Sequence, residues 1–194
     1  MSPLQGPLPS GDSVSATLLA EALPQIAFLA DEQKQVTYAN RRWLEYTGLT
    51  LEESLADSNA ALHPEDRKVA EMAWADSIAK GRPFEYELRL RRHDGVYRWH
   101  LARWVPTRDA EGRVNGWYET STDIHQRKQA EERLLESELR YRSTFENAAV
   151  GIAHFGLDGA FLRVNDRLCR MVGYACEELL ATNWQAISHP TRSR

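Results

Sequence analysis

The chain is short of cysteine, of long apolar runs and of positive charge, and each shortage excludes something. Its 194 residues include two cysteines, Cys169 and Cys176, seven apart and without a Cys-x-x-Cys pairing. Neither a disulfide framework nor a zinc site is expected from them, and they read as two reduced packing thiols near one helix. No stretch approaches the ~18 apolar residues of a membrane helix, because Glu21, Pro24 and Gln25 interrupt the best candidate, Ala16 to Ala30. The opening MSPLQGPLPSGDS lacks the basic and apolar regions of a secretory signal, so a cytoplasmic location is expected. Lys and Arg number 24 against 28 Asp and Glu, a net charge of −4. A phosphate-backbone binder needs the opposite balance, so nucleic acid is not an expected partner. The six histidines (63, 93, 100, 125, 154 and 189) never fall into a close ligand spacing, and neither a glycine-rich phosphate loop nor a nucleophile elbow occurs. No catalytic residues and no metal site are therefore expected in this chain.

What is present is an ordinary globular composition, 42% apolar and 27% charged, with a change of hydrophobic period along the chain. Residues 1–15 hold three prolines and two glycines and read as a flexible arm. A short helix is expected over 16–23, capped by Ser15 and barred by Pro24. IAFLA (26–30) and VTYA (36–39) flank the polar DEQKQ as an antiparallel hairpin. Helical spacing of Trp43, Tyr46 and Thr47 runs to Gly48, and Thr50 with Glu53 forms a capping-box pattern. A helix over about 65–80 starts after Pro64 and stops at Gly81. Phe84, Tyr86, Leu88 and Leu90 then alternate with charged residues, the mark of a half-buried strand. Asp94-Gly95 and DAEG (109–112) turn the chain into two further strands, the first ended by Pro106. This order gives an α+β domain over 16–124 with one antiparallel sheet. From His125 to about 143 the charged, Gly- and Pro-free sequence reads as a linker helix with a thin coiled-coil-like stripe and two i,i+4 pairs, Glu136 with Arg140 and Glu138 with Arg142.

The chain then starts over. Asn40, Gly48, Glu52-Glu53 and Leu55 recur as Asn165, Gly173, Glu177-Glu178 and Leu180 at an offset of 125, and His63-Pro64 recurs as His189-Pro190 at 126. Residues 144–194 therefore read as the N-terminal half of a second copy. A second copy of that length lacks the last helix and the three-strand meander, so residues 144–194 are expected to be the least stable part of the chain unless a partner chain covers their strands.

An Asn ending the second strand, a helix ending in Gly, an HPEDR segment, the strand FEYELRLRRHDG and a terminal TDI before a charged helix together resemble the PAS domain family. The variant resembled is common in bacterial sensor kinases and cyclic-di-nucleotide signalling enzymes. The resemblance implies a five-stranded antiparallel sheet with helices on one face around a small-ligand pocket. It also implies dimerisation or output through the flanking helices, and residence in a larger protein whose architecture is that of a sensor histidine kinase in a two-component system. The function expected is a sensory module that binds a small ligand or partner and relays the change through the linker helix as a homodimer. The alternatives are a fragment of a sensor histidine kinase or cyclic-di-nucleotide signalling enzyme whose catalytic domains are absent from this chain, and a ligand-free dimerisation module.

Candidate pocket residues are Phe28, Trp43, Tyr46, Trp74, Tyr86, Leu88, Trp99 and Leu101, from the helical face and one parity of each strand. Plain core packing would produce the same pattern. Asp123 and Ile124, in the position of the family's Asp-Ile-Thr triplet, are expected to couple sheet to helix, with His125 standing in place of the Thr. Photoactive relatives need a cysteine in the middle helices, and no Cys precedes Cys169, so a flavin-cysteinyl adduct is excluded in the first copy. Haem-binding relatives place the axial His on the helix before the meander, and residues 66–80 hold none, so the resemblance implies no haem, with His63 and His100 left as possible ligands. Noncovalent flavin or a small organic ligand stays open.

Overall fold

A computed structural model of the protein describes residues 11–33 and 35–188. The chain divides into two compact units, Met1–Lys128 and Gln129–Arg194. In the first unit the elements run α1 (Gly11–Ala22), β1 (Ile26–Ala30), β2 (Val36–Ala39), α2 (Arg41–Thr47), α3 (Leu51–Ala56), α4 (Pro64–Lys80), β3 (Phe84–Arg91), β4 (Tyr97–Arg108) and β5 (Val114–Asp123). The helix expected to begin at residue 16 begins at Gly11, which places Ser15 inside α1 instead of at its cap. The expected flexible arm therefore does not reach residue 15, and its residues 1–10 lie outside the described residues.

The five strands form one antiparallel sheet in the order β2-β1-β5-β4-β3. The sequence order explains it: two hairpin strands come first, the helices follow, and the meander returns its last strand to β1. Pro106 was expected to end β4, yet the strand continues to Arg108. β3 pairs only as far as Trp104, so beyond that residue β4 has a single neighbour and tolerates a proline as an edge position would.

One face of the sheet carries the core. Ile26, Phe28, Leu88, Leu90, Ala102, Trp104 and Trp117 are buried on it and pack with Trp43, Leu62 and Ala70 from the helical layer. Two devices fix how the helices enter. Asn40 is fully buried, and its Oδ1 accepts from the Ala27 and Trp43 backbone N–H groups while its Nδ2 donates to the Ala20 and Gln25 carbonyls. One side chain thus ties α1, β1 and the start of α2 together. Asp66, in the first turn of α4, accepts from the Arg89 backbone N–H at 2.7 Å and its guanidinium at 2.6 Å, clamping α4 to β3. Thr50 and Glu53 form the expected capping box, and Gly48 closes α2 at φ 74°.

The linker sequence forms α5 (His125–Glu146), with the expected pairs Glu136–Arg140 and Glu138–Arg142 at 2.6 and 2.9 Å. In the second unit follow β6 (Ala153–Phe155), β7 (Phe161–Val164), α6 (Asp166–Val172), α7 (Cys176–Leu180) and α8 (Trp184–Ile187). β6 and β7 form a two-stranded sheet over a small core of Phe161, Val164, Cys169 and Leu179. Asn165 repeats Asn40 in detail. It accepts from the N–H groups of Ile152 and Leu168 and donates to the carbonyls of Phe145 and Val150. All four partners stand at the 125-residue offset from those of Asn40. The capping box is repeated only by half: Ala175 replaces Thr50, so only its N–H donating to Glu178 remains. His189-Pro190 lies outside the described residues.

The reading of two reduced thiols is corrected: Cys169 and Cys176 form a disulfide. Gly173 ends α6 in the left-handed region at φ 79°, and α7 starts at Cys176, so the turn returns the chain with the two Cα atoms 5.4 Å apart. That separation lies inside the disulfide range. The absence of a Cys-x-x-Cys motif says nothing about cysteines at the end of one helix and the start of the next.

Candidate functional site: an aromatic cavity in the first unit

Between the inner sheet face and the helices lies a cavity of about 50 Å³. Phe28, Trp43, Trp74, Tyr86 and Leu88 of the expected set line it. Among the described residues five aromatic ones stand in the wall, Phe28, Trp43, Trp74, Tyr86 and Trp104: Phe28 meets Trp43 edge-on at 4.7 Å, and Trp74 lies 3.9 Å from Trp104. Trp43 is held by its own Nε1–H donating to Ser54 Oγ.

Three expected lining residues stand elsewhere. Trp99 and Leu101 lie on the opposite parity of β4, because the buried positions of that strand are His100, Ala102 and Trp104. The period-2 pattern marked the strand, but tryptophans at both parities gave no way to choose the inner one, and the choice fell on the wrong face. Trp99 sits instead beneath the Arg89 guanidinium and the Lys128 ammonium, at 5.2 and 5.5 Å from its ring centre. Tyr46 packs edge-on against the buried His100 at 4.9 Å, away from the cavity wall. Burial pushes the His100 imidazole down to about 4, against the opposing pull of Asp123, so the ring is neutral at pH 7. His63 faces neither ring system of the cavity and meets Tyr97 edge-on at 4.6 Å.

The sequence reading missed the most informative wall residue, Glu119. It is 7% exposed, lines the cavity from β5, and makes no hydrogen bond or ion pair among the described residues. Burial alone raises its carboxyl from the ordinary 4.5 to about 8. Tyr86 of β3, which lines the same cavity, has its phenol pushed up, first by burial and then by Glu119, with the Trp104 indole working the other way. Among the described residues the other charged lining residue is Glu71, exposed on α4. A signal for Glu119 existed in the sequence, since it shares the parity of the apolar Trp117 on β5.

The junction with α5 lies further along the same strand. Asp123 pairs with Arg98 at 2.7 Å and accepts from the His125 backbone N–H at 2.9 Å. Its carboxyl, though partly desolvated, is held low by those two donors. The buried Ile124 donates its N–H to the Trp99 carbonyl. Glu87 of β3 pairs with Arg127 and Lys128, so the first turn of α5 is bound to the sheet by side chains from two strands.

This geometry can be set beside known proteins. Residues 36–121 match a PAS fold and residues 139–193 a PAS domain. The chain belongs to the PAS family. It is 34% identical over 173 residues to the protein y4lL of Sinorhizobium fredii, covering 89% of this chain and 21% of that one. It is 40% identical over 132 residues to the peroxide stress-activated histidine kinase mak1 of Schizosaccharomyces pombe, covering 62% of this chain and 8% of the kinase. The chain thus spans about a fifth of the first of these curated relatives and less than a tenth of the second. Among solved structures, a light-oxygen-voltage domain studied with a flavin analogue superposes with a TM-score of 0.50 at 24% identity, over 66% of this chain and 96% of that one. The first unit holds no cysteine for a flavin-cysteinyl adduct, and its cavity of about 50 Å³ is small beside the roughly 300–1,000 Å³ of drug-sized ligand sites. Among the described residues no helix is long and apolar enough to cross a membrane, and no group of His, Cys, Asp and Glu gathers as a metal site.

Proposed function

We propose that the first unit is a small-ligand sensor whose occupancy is relayed through β5 to α5. The observation that carries this is Glu119, a buried, unpartnered carboxyl in an aromatic cavity, on the same strand whose end, Asp123, receives Arg98 and the first turn of α5. An empty core gains nothing from such a group, since burying a polar atom without a partner costs about 1–3 kcal/mol. A ligand that satisfies it shifts β5 by its differential affinity for the two arrangements. In this reading Asp123 and Ile124 are the coupling residues, the output belongs to a histidine kinase or cyclic-di-nucleotide signalling enzyme, and the working form is a homodimer. Support for dimerisation is the exposure of Leu134, Leu135, Leu139 and Tyr141 on α5, which leaves an apolar stripe uncovered in the single chain. A ligand-free dimerisation module would show the same stripe but has no use for an unpartnered Glu119.

The test is native mass spectrometry of the purified full chain together with a thermal-shift screen of small metabolites. A bound mass released on denaturation, or a compound that raises Tm and is blocked by filling the cavity with Ala70→Phe, supports the reading. No retained mass and no stabilising compound would remove it. Light scattering over a micromolar range tests the dimer, and a monomer throughout contradicts it.

A further inference from the structure

The chemistry of the cavity wall narrows the ligand. Two charged residues line it, Glu119 and Glu71, and both are acidic, with neither lysine nor arginine among the described lining residues. Trp43, Trp74, Tyr86 and Trp104 line the same cavity as Glu119. Aromatic rings beside a carboxyl group that can ionise form an arrangement that attracts an organic cation, the rings through their quadrupoles and the carboxylate through its charge. A phosphate or carboxylate ligand finds no lysine or arginine among the described lining residues and meets the negative charge of Glu71. The size sets a further limit: at about 10–15 Å³ per water, a cavity of about 50 Å³ holds about four waters or a compact molecule of comparable bulk.

Resting on the small-ligand reading above, we infer that this cavity binds a compact organic cation, a protonated or quaternary amine, with Glu119 as its counter-ion. Empty, the carboxyl keeps its proton because burial disfavours the charge. When the cation enters, the proton leaves to solvent and the carboxylate pairs with the ligand inside the aromatic wall. Among the described residues the other titratable groups facing the site are Glu71 and Tyr86, and Tyr86 stays protonated throughout.

Choline, its neutral carbon isostere dimethylbutanol and the anion pivalate serve as probes on the full chain, read by tryptophan fluorescence and by calorimetry in two buffers of different ionisation enthalpy. Choline should bind at least tenfold more tightly than dimethylbutanol, and pivalate should not bind. Close to one proton should be released per choline at pH 7. Glu119→Gln should weaken choline at least tenfold and leave dimethylbutanol unchanged, its fold being checked by circular dichroism. The comparison of probes on the native chain stands even if that variant fails to fold. Equal or tighter binding of the neutral or anionic probe overturns the cation assignment while leaving a small-ligand site in place. Choline binding that is indifferent to Glu119→Gln overturns the role of Glu119. Failure of all three probes overturns the cation assignment, and the metabolite screen then decides the broader reading separately.

Discussion

Replacing Glu119 with Gln should flatten the dependence of stability on pH between about 6.5 and 8. Its carboxyl titrates near 8 in the folded chain and near 4.5 when unfolded. The folded state therefore holds a proton that the unfolded state gives up, and stability is lost as pH rises from 4.5 through 8. His100 acts in the opposite sense lower down: neutral in the fold to about 4 and ordinary at 6.5 when unfolded, it costs stability as pH falls below 6.5. The two slopes nearly cancel between about 4.5 and 6.5, and above 6.5 that of Glu119 stands alone. At ~1.36 kcal/mol per pH unit, the interval from 6.5 to about 8 removes roughly 2 kcal/mol from the wild-type chain. Urea unfolding followed by tryptophan fluorescence reports the first unit, which holds Trp43, Trp74, Trp99, Trp104 and Trp117, leaving Trp184 in the second. The wild-type midpoint should fall by about 1 M across this window, and that of Glu119→Gln should hold within error. Parallel curves for the two chains would refute the claim that an unpaired buried carboxyl stands in the cavity.

Asn40→Ala should cost the first unit about 2–4 kcal/mol, from four hydrogen bonds to backbone at roughly 1 kcal/mol each, and Asn165→Ala should lower the smaller second unit comparably; thermal melts check both, and a loss under 1 kcal/mol would count against the tie. Asp123→Ala should leave the first unit folded but speed amide exchange over residues 125–140, because Arg98 and the His125 N–H lose their partner. Reducing Cys169–Cys176 should destabilise the second unit by about 2–3 kcal/mol and leave the first unit's melt unchanged.

The alternation of Phe84 to Leu90, the capping box at Thr50 and the Asn40/Asn165 repeat are local patterns, and each was legible because one residue spacing has one structural meaning. The fold followed from their order. The site was legible where a single parity was apolar, as for Tyr86 and Leu88 on β3. It was not legible on β4, where Trp99 and Trp104 compete and the decision falls to partners from elsewhere: Lys128 and Arg89 take one ring, Trp74 the other. Glu119 was hidden for the same reason, since a charge on a strand reads as solvated until its neighbours are known. The disulfide depends on the angle between α6 and α7, which the turn at Gly173 sets and spacing alone does not encode.

The central claim, that occupancy of the cavity is felt at the start of α5, is tested most directly by hydrogen exchange over residues 114–140 with and without saturating ligand, whichever compound the binding and screening experiments identify. Exchange should change in β5 and, through Asp123 and Ile124, in the first turns of α5, with the α5 effect lost in Asp123→Ala. A ligand that protects the cavity wall while leaving α5 unchanged would contradict it.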